Sequence, residues 1–313
     1  MEDKDLIVIG AGPAGLTAGM YAARAGIDTL VIEMMMPGGQ MATAHKIKNY
    51  PGFPEGIGGM ELAELMKAHA ENLGTDIKNL DEVKKVEKEG DRFVITTSQG
   101  QYRALAVVIA TGLYRKKLGV PGEKEFQGKG VSYCATCDGP FFKDRKTVVI
   151  GSGTHAVSEA LYLNDIAGEV KLVMKRDHPI ITQKDTEKQL KESKVELVTG
   201  TEVLEIFGQE LVTGLKALDL NTKEERTIET DGIFIETGRQ PNIALLEGMD
   251  VKTDEKGYII TDEKQQTSTP GLYAAGDVCA GKVKQVGVAV GHGSIAALSA
   301  RDYIKSMKSN ENR

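Results

Sequence analysis

Two cysteines two residues apart, Cys134-Ala135-Thr136-Cys137, with Asp138 and Gly139 directly after them, are the densest chemistry in this 313-residue chain. That spacing closes a small, reducible disulfide and lowers the pKa of one thiol. A carboxylate beside the second thiol stands where it can give or take a proton during exchange. An aspartate before a glycine is also a turn former, so both readings of Asp138 stay open. Zinc would call for two further Cys or His ligands at motif spacing. Cys279 stands alone and reads as an ordinary free thiol, and His155 and His178 have no such spacing to the pair.

The second chemical signal is a repeated glycine turn. Residues 5–33 and 146–176 each read as an apolar strand, a glycine turn, a helix rich in alanine and leucine, and a second apolar strand. The two copies lie 141 residues apart, from Gly10 to Gly151. Two such turns, each between a strand and a helix, are a specific mark of dinucleotide binding. In the first copy Gly10 makes the tight turn, Gly12 lets the backbone approach a pyrophosphate, and Gly15 lets the helix pack on the strand. Pro13 and Ala14 open a helix whose free N–H groups and positive dipole end face the phosphates. Gly151, Gly153 and Ala156 take the three places in the second copy, with Thr154 and His155 between them.

The residue ending each second strand is expected to meet a ribose. In copy one it is Glu33, suited to the two hydroxyls of an unphosphorylated ribose. In copy two it is Met174, followed by Lys175 and Arg176, a pair that suits a 2′-phosphate and favours NADPH over NADH. A solvated basic strand end is the alternative reading.

These sites need a scaffold, and the chain has the means to build one. Its length suits two domains, and 41% apolar with 27% charged residues is normal for a globular protein. A formal charge of −6 gives no general pull toward nucleic acid or anionic membranes. No apolar run approaches a membrane span, and the acidic start running into Leu6–Ile9 reads as a strand and not a secretory signal, so the expected location is cytoplasmic. Three cysteines do not make a disulfide scaffold. Strands ending at Ala110-Thr111-Gly112 and Glu236-Thr237-Gly238 mark the crossings between domains, and Gly276-Asp277 ends a further strand before an alanine-rich helix near 284–305. The expected fold is α/β with two Rossmann-like, three-layer domains: 1–115 and 245–313 form the first, and 116–244 is inserted into it. Segments 90–110 and 200–230 alternate apolar and polar residues as antiparallel strands do. Met34, Met35 and Met36 read as a loop flanking the first cofactor.

Taken together, GAGPAG at 10–15, GGQM at 38–41, NYPGF at 49–53, ATG at 110–112, CATCDG at 134–139 and AAGD at 274–277 cover the chain from end to end. It resembles the low-molecular-weight thioredoxin reductases of bacterial and archaeal type, in the FAD-dependent pyridine nucleotide-disulfide oxidoreductase family. Cysteines lying beyond residue 133 set it apart from the lipoamide-dehydrogenase-like branch. The resemblance implies that Gly10, Gly12, Pro13 and Ala14 hold the FAD pyrophosphate and Glu33 the adenosine ribose. It places Gly38, Gly39, Gln40 and Asn49 along the flavin side, Gly276 and Asp277 at the ribitol, and Lys284-Gln285-Val286 at the flavin ring, with lysine for the family's arginine. Val83, Gly112 and Gly238 complete the cofactor contacts. NADPH would lie on Gly151, Gly153, Thr154, His155, Ala156, Lys175 and Arg176. Cys137 would face the flavin, Cys134 would attack the disulfide of thioredoxin or a thioredoxin-like partner, and Asp138 would be the acid/base.

The resemblance further implies a homodimer, and a rotation of the two domains about hinges near 113–118 and 243–246. The family's nicotinamide half carries His-Arg-Arg, three residues, then Arg. This chain has Met174-Lys175-Arg176 and then Ile180. That departure keeps open a second donor, a reduced deazaflavin or ferredoxin. A dithiol oxidase acting on a small molecule is a further alternative, against which the retained second glycine turn argues.

Overall fold

The computed structural model describes residues 1–44, 46–181 and 184–311. The chain folds as two compact units, Met1–Tyr114 with Gln240–Arg313, and Arg115–Arg239. The sequence expectation set the crossings at 115/116 and 244/245.

The first unit opens with β1 (Glu2–Ile9), α1 (Pro13–Arg24), β2 (Thr29–Ile32), α2 (Gly59–Asn72) and β3 (Asp76–Lys78). It continues through β4 (Val83–Glu89), β5 (Arg92–Thr97), β6 (Gln101–Ile109) and β7 (Leu113–Arg115). The second unit contains β8 (Val131–Ser132), α3 (Ala135–Asp138), β9 (Lys146–Ile150), α4 (Thr154–Asn164), β10 (Glu169–Val173), α5 (Lys184–Glu192) and β11 (Glu196–Val198). It closes with β12 (Thr201–Gly208), β13 (Val212–Asp219), β14 (Glu225–Glu229) and β15 (Gly232–Ile235); β16 (Arg239–Pro241) then crosses the boundary, and β17 (Leu272–Ala274) and α6 (Val286–Glu311) lie in the first unit.

In the first unit the sheet runs β3-β2-β1-β6-β5-β4. Leu6–Ile9 are buried on both faces, as continuous apolar runs at the centre of a parallel sheet must be. One edge of β6 serves two partners: residues 101–104 pair antiparallel with β5, and residues 107–109 pair parallel with β17. So β6 is antiparallel to β5 alone, and the expectation of antiparallel strands over 90–110 holds only for that pairing. Alanines and glycines on α1 and α6 let the two helices lie close. A Cβ at Gly293 would sit 2.2 Å from the Ala14 carbonyl oxygen.

The second unit has a five-stranded parallel sheet, β11-β10-β9-β15-β8, and an antiparallel meander, β12-β13-β14. Its two apolar clusters differ in partner. One joins Val148, Ile150 and Ile233 to Val203 and Leu215 of the meander, and the other joins Val149 and Phe234 to Ala156, Val157 and Ala160 of α4. The repeat legible in the sequence is β1–α1–β2 against β9–α4–β10, and it extends into the following loop. The Gly38 N–H donates to the Ala11 carbonyl at 2.7 Å, and the Ile180 N–H donates to the Ser152 carbonyl at the same distance.

A polar knot ties the end of β5 to the segment that links β3 and β4. Asp81 is fully buried and accepts hydrogen bonds from Thr97 Oγ1 (3.0 Å), Ser98 Oγ (2.9 Å) and the Gln99 N–H (3.1 Å), with Lys78 Nζ at 3.2 Å. Burial pushes its pKa up, but the Thr97, Ser98 and Lys78 contacts outweigh it and hold the carboxyl below its ordinary value. Replacing Asp81 by alanine strands these donors, and the expected loss is about 2–3 kcal/mol in urea unfolding. Because the folded pKa is depressed, this contribution is present at neutral pH and fades as pH falls through the acid range. An unchanged midpoint would contradict the assignment.

Candidate active site

Cys134 and Cys137 form a disulfide, with Cα atoms 5.3 Å apart, across the one-turn helix α3. Cys134 caps this helix. The Cys137 N–H donates to Cys134 Sγ at 3.2 Å, and Thr136 Oγ1 lies 3.3 Å from the same sulfur. Ser132 orders the approach to the dithiol: its Oγ accepts the Cys134 N–H at 3.0 Å and its hydroxyl donates to Asp138 Oδ2 at 2.6 Å. Asp138 is therefore anchored by a hydroxyl that the sequence reading passed over. It also lines an open hollow of about 500 Å³ with Lys124, Gln127, Ser132 and Tyr133, which gives it a route to solvent protons. Cys279 is the third cysteine and a free thiol. It is buried, and burial pushes its thiol up to about 12.

The first glycine turn fits a dinucleotide. Gly10 has φ +102°, and a Cβ there would lie 2.5 Å from the Ala110 carbonyl oxygen. Gly12 caps α1 without a side-chain hydrogen bond, which leaves the first-turn N–H groups for a ligand. The space beside it is lined by backbone, since a Cβ on Gly39 would come within 3.2 Å of Gly12 Cα. Glu33 ends β2 with its carboxylate on the Ala11 N–H (2.7 Å) and the Met35 N–H (3.0 Å), at the place a ribose diol needs. Gly276 lies against Ala14, so Asp277 comes to the start of α1.

The other flavin-side residues gather in part. Asn49 Nδ2 donates to Gln285 Oε1 at 2.9 Å, although 236 residues separate them. Gln40 Nε2 donates to the Leu113 carbonyl at 2.7 Å. Lys284 donates to the Cys279 carbonyl at 2.5 Å and lies over the Tyr258 ring, while Val286 begins α6. Val83 is brought near Glu33 by the segment before it, through Asp81 N–H to Glu33 O (3.0 Å) and Leu80 N–H to Met35 O (3.3 Å). Gly112 and Gly238 end the strands that leave the two sheets, both with positive φ. Met34, Met35 and Met36 are exposed beside Glu33.

The second turn has the same frame with different fittings. A Cβ at Gly151 would lie 2.3 Å from the Glu236 carbonyl oxygen, and Gly153 caps α4 with no side-chain hydrogen bond. Thr154 Oγ1 donates to the Ile180 carbonyl at 3.2 Å, and His155 follows in the first turn of α4. Ala156 is buried against Gly151 as a packing residue. Met174 does not meet a ribose; it is 2% exposed within the core of the unit. Lys175 Nζ donates to Glu202 Oε1 at 2.5 Å, and Arg176 is exposed at the strand end. Beneath the turn lies a cluster that the sequence reading missed. Arg115 Nη1 is 3.0 Å from Glu159 Oε1 and also contacts Glu236, with Arg239 3.8 Å from Glu236.

A family model described as pyridine nucleotide-disulphide oxidoreductase matches residues 4–293. A thioredoxin reductase of Listeria monocytogenes is 40% identical over 310 residues, covering 98% of this chain and 96% of the relative. The chain belongs to the pyridine nucleotide-disulphide oxidoreductase family. Two solved members have the same fold. The thioredoxin reductase of Lactococcus lactis matches with TM-score 0.89 at 37% identity, over 97% of this chain and 99% of that one. The thioredoxin reductase of T. acidophilum matches with TM-score 0.88 at 40% identity, over 98% and 100%. As a member of this family the chain is a flavoprotein disulfide oxidoreductase, and membership implies both a flavin and a pyridine nucleotide.

In this oxidoreductase the backbone donor on Cys134 Sγ stabilises a thiolate there once the disulfide is reduced. The donor survives replacement of the Cys137 side chain. In Cys137→Ser, Cys134 is therefore expected to ionise with an apparent pKa below the free-thiol value of about 8.5, read from alkylation rate against pH. A value at or above that would remove the basis for an activated Cys134.

Proposed function

We propose that the chain is a thioredoxin-disulfide reductase, taking two electrons from NADPH through FAD and the Cys134–Cys137 dithiol to the disulfide of thioredoxin or a thioredoxin-like protein. The observation that carries this reading is the dithiol itself: two cysteines on one helical turn, with a backbone donor on Cys134 and a hydroxyl-anchored Asp138 beside Cys137. The relatives bearing the thioredoxin reductase name support the choice of acceptor.

Gly10, Gly12, Pro13, Ala14, Glu33 and Asp277 would hold FAD, with Asn49 and Gln285 joined beside it. When bound, the flavin supplies a two-electron carrier between a nicotinamide hydride and a disulfide. Cys137 is the thiol that meets it, and Cys134, released as the stabilised thiolate, attacks the partner's disulfide. Cys137 then displaces Cys134 from the mixed disulfide, while Asp138 moves the proton that each exchange needs. A thioredoxin dithiol at about −270 mV makes this a modest drop from NADPH. The same reading carries the expectation of a homodimer. No helix among the described residues is long and apolar enough to cross a membrane.

NADPH is supported as donor by the second glycine turn and by Lys175 and Arg176. A second reading, with a reduced deazaflavin or ferredoxin as donor, draws on the pairing of Lys175 with Glu202, buried Met174, and Ile180 in place of a cation. In either case Cys134→Ser and Cys137→Ser are each expected to lower turnover with thioredoxin by about a thousandfold or more while flavin binding is retained. Full thioredoxin reduction by either variant would overturn the mechanism.

A further inference from the structure

The two dinucleotide turns are built alike, yet the second carries charge where the first carries none. Glu159 and His155 occupy the helix positions that Ala18 and Ala14 hold in the first copy, 141 residues earlier. The Glu236 carbonyl closes over Gly151 where a Cβ would sit, as the Ala110 carbonyl does over Gly10. A glycine turn of this geometry therefore needs no acid beneath it, and the first copy makes it on alanines. Placing two carboxyls there costs desolvation that something must offset.

The offset is visible, and it is incomplete. The Glu236 side chain is 2% exposed and the Glu159 side chain 14%. Arg115 reaches both acids, and Arg239 reaches Glu236 from the other side. The second oxygen of Glu159 is enclosed with no hydrogen-bond partner among the described residues, while its first oxygen shares Arg115 Nη1 with Glu236 Oε1. Two ionised carboxylates on one guanidinium nitrogen have no hydrogen to place on that enclosed oxygen, whereas a proton held by the pair would supply one.

We propose that Glu159 and Glu236 share one proton beneath the second dinucleotide turn, and that this proton is linked to pyridine nucleotide binding through the charge it leaves on Arg115 and Arg239. The proposal rests on the reading of that turn as the pyridine nucleotide site. With the proton present, the cluster carries one more positive charge than without it. The α4 N–H groups attract an anionic pyrophosphate in both states, and the added positive charge strengthens that attraction in the first, so nucleotide and proton favour each other's binding. Burial, then the neighbouring Glu236 charge, raises Glu159 to about 8, with Arg115 opposing. His155, in the first turn of the same helix, feels Arg239, Glu236 and Arg115. Its pKa is lowered, first by desolvation, so it changes charge below this window. Glu159 and Glu236 are thus positioning residues, acting through the two arginines.

The test is calorimetric titration of the full-length, flavin-loaded protein with NADP⁺ in buffers of different ionisation enthalpy. At about pH 8 the wild type is expected to take up a fraction of a proton for each NADP⁺ bound, and its Kd to weaken about three- to tenfold between about pH 7 and 9. In Glu159→Gln the proton count falls to zero and Kd becomes flat across that range. Glu236→Gln serves if the first variant does not fold, and the wild-type proton count needs no variant. Binding without proton uptake, or a Glu159→Gln profile like the wild type, overturns the proposal and leaves the site reading standing. No binding of NADP⁺ by the wild type overturns the site reading, and the proposal with it.

Discussion

Everything in this molecule hangs on the close passage of one backbone beneath another at the end of a parallel strand. Gly10 runs under the Ala110 carbonyl and Gly151 under the Glu236 carbonyl, each at a distance no side chain tolerates. That passage lets a helix begin directly over the sheet with its first N–H groups unspent. It also fixes the end of the second strand beside the turn, so that Glu33 reaches the Ala11 N–H. Anion binding at such a place is a property of the backbone, and the side chains around it decide which anion.

The dithiol uses the same physics on a smaller scale. One helical turn aims a backbone N–H at Cys134 Sγ and leaves Cys137 beside Asp138. Ser132 holds both the Cys134 backbone and the Asp138 carboxylate, so the nucleophile and the proton carrier share one support. The chemistry asks for a thiolate that is both stable enough to form and able to leave. A neutral backbone donor meets that need without trapping the sulfur in an ion pair.

The elements of strict period and the glycine turns were legible in the sequence, because each has a local cause: apolar runs in β1 and β9, Pro13 at a helix start, and glycines where no Cβ fits. The dithiol was legible for the same reason. What escaped depends on contacts between residues far apart in the chain. Ser132 gave no signal beyond its place before the motif. Asn49 meets Gln285 only because α6 returns to the first unit after the whole second unit. The parallel pairing of β17 with half of β6 could not be read from alternation, which is silent on direction. Met174 matched the strand end by count, yet its apolar side chain turned into the core. The buried acids did leave a trace, since Glu159 and His155 stand where the first copy has alanine. A position-by-position comparison of the two copies would have exposed them.

The central claim is that electrons enter this chain from NADPH and leave through Cys134 and Cys137. Anaerobic titration of the flavin-loaded protein with NADPH, followed by flavin absorbance, tests it most directly. The account predicts full bleaching with about two equivalents in the wild type, and with about one in Cys134→Ser, because the disulfide accounts for the second electron pair. Persistent flavin absorbance with NADPH and NADH alike, alongside bleaching by dithionite, would contradict it.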